Sequence, residues 1–142
     1  MNADQNGLKD ELSERVIAAV FEVSNTLGAG FLEKVYERAL VRELEIRGVR
    51  AAGQASMPVV YKGKPVGDYY ADILVEDRLV VELKCVERLS REHSAQCLNY
   101  LRASGKSVCL LVNFENPKVE WRRGSSSQTV RGSRVIPVYF RT

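Results

Sequence analysis

One stretch, Tyr69-Tyr-Ala-Asp-Ile-Leu-Val-Glu-Asp-Arg-Leu-Val-Val-Glu-Leu-Lys84, constrains this chain more than any other. Two apolar runs of β composition flank the polar break Glu76-Asp77-Arg78, which is the pattern of a β-hairpin. With those three residues as the loop, Val75 faces Leu79 and Asp72 faces Glu82. One face then carries Ala71, Ile73, Val75, Leu79, Val81 and Leu83, all apolar; the other carries Tyr70, Asp72, Leu74, Val80, Glu82 and Lys84. A two-residue loop would slip the strands by one and mix the two sets. The hydrophobic pattern selects the three-residue loop.

That register brings two carboxylates together. Directly opposed side chains have Cβ atoms roughly 4.5–5.5 Å apart, and like charges there are destabilising. Either one carboxylate is protonated or a cation sits between them. Lys84, on the same face as Glu82, is a partial answer. A divalent metal held by carboxylate oxygens is a fuller one. The plain alternative is a solvated outer face of surface ion pairs.

The remaining chain reads as elements around this hairpin. Apolar residues recur at helical spacing from Leu8 to about Leu27, and Gly28-Ala-Gly30 breaks that helix. A second helix is expected from about Phe31 to Arg47, with Leu32, Val35, Ala39 and Leu40 as its core stripe and Glu33 and Glu37 on a neighbouring face. Residues 57–62 read as a strand and 62–65 as a turn. Ser90 is an N-cap for a helix over Arg91–Ser104, with Gly105 just beyond it. Ser107–Phe114 is almost continuously apolar, as a central strand buried on both faces would be. Residues 115–133, with Arg122, Arg123 and three serines, read as a mobile basic loop. Val135–Phe140 reads as an edge strand, given Pro137. The order α-α-β-β-β-α-β-β indicates an α/β (α+β) protein with a mixed sheet flanked by helices.

Length and composition fit that architecture. The 142 residues, 45% hydrophobic and 27% charged, suit one globular domain over 1–142 with a frayed segment at 1–7. A net charge of +3 permits a polyanionic partner without demanding one. Cys85, Cys97 and Cys109 are odd in number and form no C-x-x-C pair, which argues against a disulfide framework, a structural zinc and an iron–sulfur cluster. With no signal peptide and no membrane-spanning run, a cytoplasmic protein is expected.

Three further pieces bear on the Asp72/Glu82/Lys84 face. Glu33 lies in the first turn of a helix, where the dipole favours a carboxylate. Gln96 and Tyr100 share one face of the helix after Lys84, together with His93. Together these residues resemble known proteins. Gly30-Phe-Leu-Glu33-Lys-Val-Tyr36 matches the pattern for which the GxxExxY family is named. Asp72…Glu82-Leu-Lys84 resembles the D…(D/E)xK signature of the PD-(D/E)XK nuclease superfamily, and Gln96-Cys-Leu-Asn-Tyr100 is similar to the QxxxY element of its RecB-like exonucleases.

The resemblance implies a restriction-endonuclease-like fold and a metal-dependent nuclease acting on nucleic acid, with DNA as the first choice of substrate. Glu33, Asp72, Glu82 and the Leu83 carbonyl would ligate Mg²⁺ or Mn²⁺. Lys84 would position the attacking water or neutralise phosphoryl charge, and Gln96 and Tyr100 would orient Lys84 or contact a phosphate. His93 is ranked as a rim residue rather than a general base. Lys62, Lys64, Arg88, Arg91, Arg102, Arg122 and Arg123 could track a phosphate backbone, or merely solubilise the surface. A homodimer is compatible with this reading. Two alternatives stay open: a nuclease-fold binding or regulatory module that does not cleave, and a structural protein whose acids form surface ion pairs.

Overall fold

The computed structural model describes residues 10–126 and 138–141. Helix α1 (Glu11–Leu27) starts at Asp10, whose carboxylate accepts from the Leu12 N–H at 3.1 Å and the Ser13 hydroxyl at 2.8 Å. The expected start at Leu8 and the segment 1–7 lie outside the described residues. Helix α2 (Glu33–Ile46) follows the glycine break. Strands β1 (Ala51–Tyr61) and β2 (Lys64–Val75) form a long hairpin. Its turn is the pair Lys62-Gly63, both at positive φ, as a tight two-residue turn matching the strand twist requires. Then come β3 (Leu79–Lys84), α3 (Arg91–Ser104), β4 (Val108–Asn113), β5 (Glu120–Ser126) and β6 (Val138–Arg141).

Among the described residues these strands make one six-stranded sheet in the order β1-β2-β3-β4-β5-β6. All neighbours are antiparallel except β3 and β4, which are parallel because α3 carries the chain back across the sheet. Helices α1 and α2 cover one face, where Val16, Val20, Tyr36 and Leu40 pack with Ile73, Val81, Leu110 and Val112. Helix α3 covers the other, where Cys97 and Leu101 pack with Met57, Val80 and Leu111. Strand β4 sends alternate side chains into both layers, so it carries the unbroken apolar run expected of a central strand. The mixed sheet flanked by helices, in the expected order, is observed with one further strand. No helix among the described residues is long and apolar enough to cross a membrane.

The hairpin register is the one its pattern selects: Val75 pairs with Leu79, Leu74 with Val80 and Ile73 with Val81. Glu76 and Asp77 take positive φ to close the three-residue loop. The α3 boundaries also agree, with Ser90 as N-cap and Gly105 in the left-handed conformation beyond the end.

Four expectations need correction. The buried residues of α2 are Tyr36, Glu37, Leu40 and Leu44, not a Leu32/Val35 stripe; Leu32 is 78% exposed. Tyr36 sets that rotation, because its ring stacks on Phe114 at 4.5 Å and its hydroxyl donates to the Gly28 carbonyl at 2.6 Å. The stretch 115–133 is not all loop, since 120–126 is β5, pairing along β4 and satisfying that strand's second edge. Its arginines and serines conceal a strand whose neighbours are partly polar; residues 127–133 lie outside the described set. Strand β1 starts at Ala51 rather than 57, and its Ala- and Gly-containing first half carries little β signal. Finally, Ala71 packs with the α3 layer while Ile73 packs with the α1/α2 layer, so the alternation breaks at Asp72. The last strand is at the sheet edge as expected and covers 138–141; residues 135–137 are outside the described set.

Candidate active site

The break at Asp72 is where the hairpin opens. Backbone pairing between β2 and β3 reaches Ile73 and Val81, and beyond it side chains take over the hydrogen bonds. The Leu83 N–H donates to Asp72 Oδ2 at 2.8 Å, and the Asp72 N–H donates to Glu82 Oε2 at 3.3 Å. Each carboxylate thus accepts from a backbone N–H of the other strand beyond the last ladder pair. The Tyr69 hydroxyl donates to the same Glu82 oxygen at 2.5 Å. Its ring lies against Tyr100 of α3, with centroids 3.8 Å apart. Lys84 Nζ donates to Gln96 Oε1 at 3.4 Å. Helical spacing explains why one helix delivers both contacts: Gln96 and Tyr100 are one turn apart. Gln96 reaches Lys84, whereas Tyr100 braces Tyr69 and so acts one step away from Glu82.

Although the ladder ends before Asp72 and Glu82, the Asp72 charge still bears on Glu82. Burial, then the neighbouring Asp72, raises the Glu82 carboxyl to about 8, against lowering by Tyr69, the Asp72 N–H and Lys84. Burial also raises Asp72, opposed first by the Leu83 N–H. Glu33 is raised by burial and then by Asp72, while Lys84 and the Cys85 N–H act the other way. The Tyr69 hydroxyl is pushed far above its ordinary range by burial and then by Glu82, so it remains a donor. Burial likewise raises Tyr100.

Glu33 reaches this group from α2, of which it is the first residue. The turn before it is locked by Tyr36, which accepts from the Phe31 N–H at 3.2 Å and donates to Gly28. Gly28 and Gly30 take positive φ there, at 75° and 105°. In G-x-x-E-x-x-Y the tyrosine therefore anchors the loop from which the glutamate projects. Two residues near Asp72 escaped sequence reasoning as site residues, Glu37 and Gln54, linked at 2.9 Å. Glu37 had a signal in its i, i+4 relation to Glu33. Gln54 had none, because its strand was read from residue 57. Tyr69 was missed too, its polar end hidden in an apolar run.

The other candidates separate. His93 is a capping residue: its Nδ1 accepts from the Ser90 N–H at 3.0 Å, and its own N–H donates to Ser90 Oγ. Lys62 and Lys64 are exposed at the β1–β2 tip, and Arg88, Arg91 and Arg102 are exposed around α3. Arg122 and Arg123 do not lie on a solvent loop. Arg122 donates to the Leu89 and Ser90 carbonyls and to Ser94 Oγ at 3.1, 3.3 and 2.8 Å, tying β5 to the start of α3. Arg123, 8% exposed, points to the opposite layer, where Asp10 lies at 3.8 Å and Ser13 Oγ at 3.5 Å.

Among the described residues, no three His, Cys, Asp or Glu side chains form a ready metal-binding group. The donor set at the hairpin opening is nevertheless all oxygen, and burial, joined by the Asp72 charge at Glu82 and Glu33, raises the proton affinity of its carboxylates. Hard oxygen donors of this kind suit Mg²⁺ or Mn²⁺ rather than zinc or copper. The residues present fit such an ion chemically.

A family model described as the PD-(D/E)XK nuclease superfamily matches residues 10–124, which include every residue of this cluster. No curated protein and no solved structure matches the chain.

Proposed function

The chain belongs to the PD-(D/E)XK nuclease superfamily, and on that premise we propose that it is a metal-dependent nuclease hydrolysing phosphodiester bonds of nucleic acid, with DNA the first substrate to test. The observation that carries this reading is the juxtaposition at one strand opening of the Asp72 and Glu82 carboxylates with Lys84, whose ammonium is held by Gln96. Glu33, Asp72, Glu82 and the Leu83 carbonyl would hold Mg²⁺ or Mn²⁺. A bound ion of this type supplies a water of lowered pKa and a clamp on the scissile phosphate. Lys84 offers an ammonium to the attacking water or to the charge developing on phosphorus. Gln96 aims that ammonium, and Tyr69, stacked on Tyr100, keeps Glu82 in place. Exposed Lys62, Lys64, Arg88, Arg91 and Arg102 would track the backbone; Arg122 and Arg123 hold the fold.

Within the superfamily we assign the chain to the GxxExxY group, on the Gly30…Glu33…Tyr36 pattern and the loop lock that Tyr36 makes. Three free cysteines suit a cytoplasmic location. A second reading, a nuclease-fold binding module without cleavage, draws on one observation: a Glu82 oxygen is already occupied by Tyr69 and the Asp72 N–H. Labelled DNA and RNA, single- and double-stranded, incubated with Mg²⁺ or Mn²⁺ decide between them, with Lys84→Ala as control. Metal-dependent turnover lost in the variant supports the nuclease. Binding of nucleic acid without turnover on any substrate supports the module.

A further inference from the structure

Gln54 is a non-glycine residue with φ 52° inside a strand. Such a conformation persists only where its surroundings hold it. Strand β1 pairs Gly53 with Ile73 and Ala55 with Ala71, so Gln54 is the residue facing Asp72 where the alternation of β2 breaks. Its side-chain nitrogen donates to Glu37 Oε1 at 2.9 Å and to Asp72 Oδ1 at 3.5 Å. A primary amide nitrogen carries two N–H groups and accepts nothing, so it can lie between two carboxylates where a hydroxyl or carboxyl would not serve.

Glu37 has no part in the chemistry described above, yet it is 7% exposed. A glutamate is rarely buried unless partnered, and its partners are Gln54 and Lys34, the latter at 3.4 Å. Gly53 leaves the room: a Cβ on it would come within 3.2 Å of Glu37 Oε2. Asp72 is thereby tied at both oxygens, Oδ2 by the Leu83 N–H and Oδ1 by Gln54. Two ties fix the carboxylate plane, and an ionised carboxylate keeps further lone pairs for another partner.

We propose that Glu37 and Gln54 form a clamp that positions Asp72, with Glu37 anchoring the Gln54 amide and the amide fixing the Asp72 carboxylate in the orientation that holds metal. This rests on the metal reading of the site. Gln54 is a positioning residue and Glu37 its support; neither touches the substrate.

Calorimetric titration of the full chain with Mn²⁺ tests it, with melting temperature measured alongside. Glycine accepts φ 52° freely, so Gln54→Gly removes the amide while relieving the backbone. It should weaken Mn²⁺ binding about 10–100-fold, as loss of an outer support to a metal ligand typically does, with the melting temperature kept or raised. Glu37→Gln preserves an acceptor for the Gln54 amide and should bind Mn²⁺ like the wild type; Glu37→Ala should behave like Gln54→Gly. Unchanged affinity in Gln54→Gly overturns the clamp while leaving the metal site standing. Loss of binding in a folded Glu37→Gln also overturns it, because Glu37 would then be a ligand. Wild-type protein that takes up no Mn²⁺ removes the metal reading and the clamp with it.

Discussion

Glu82 makes the metal-free protein lose stability as pH rises. The residue is 5% exposed, and burial, then the Asp72 charge, raises its carboxyl to about 8 in the fold against an ordinary 4.5. Between those values the folded state binds a proton that the unfolded state has released, so the free energy of unfolding falls with increasing pH. The contribution is fully present below pH 4.5 and is lost as pH passes through about 8. At about 1.4 kcal/mol for each pKa unit, the whole span is worth about 5 kcal/mol, a large share of the stability of a domain this size. Asp72 and Glu33, also raised, act in the same direction.

The assay is urea unfolding in EDTA from pH 5 to 8.5, followed by the fluorescence of the one tryptophan, Trp121. Glu82→Gln carries a neutral side chain at every pH and should flatten most of the slope; at pH 8.5 it should be more stable than the wild type. Saturating Mg²⁺ should shrink the wild-type slope, since cation and proton compete for the same oxygens. A wild-type profile that is flat in EDTA, or a slope that Glu82→Gln shares in full, refutes the reasoning.

Lys84→Ala should lower single-turnover cleavage by about 10²–10³ while leaving most nucleic-acid affinity, because one phosphate contact is a small part of the binding; wild-type rates would end its catalytic assignment. Tyr36→Phe keeps the stack on Phe114 but loses the bond to the Gly28 carbonyl, and urea unfolding should show a loss of about 1 kcal/mol. Arg122→Ala removes three contacts that join β5 to α3 and should cost about 2–3 kcal/mol. The same variant should leave the salt dependence of nucleic-acid binding unaltered, since the guanidinium is already engaged within the protein; a shallower slope in log K against log[salt] would return it to the interface.

What could be read from the sequence lies mostly on the hairpin and on α3. The register of Ile73–Val75 against Leu79–Val81 follows from a period-two pattern and a three-residue loop, both local, because a slip by one residue would send each side chain to the wrong layer. The break in alternation at Asp72, beyond the last pair, had no sequence signal. The span of α3, its Ser90 cap and the shared face of Gln96 and Tyr100 follow from helical spacing alone. Only the tertiary structure decided which side chains meet across layers. Tyr100 braces Tyr69 rather than Lys84, Gln54 links Glu37 to Asp72, and Arg122 and Arg123 turn to opposite faces of β5. The rotation of α2 was settled the same way, by Tyr36 packing on Phe114 from another layer. Periodicity assigns a residue to a face; the choice of partner depends on where two separately formed elements dock, and each is set by volume and hydrogen-bond satisfaction summed over residues far apart in the chain.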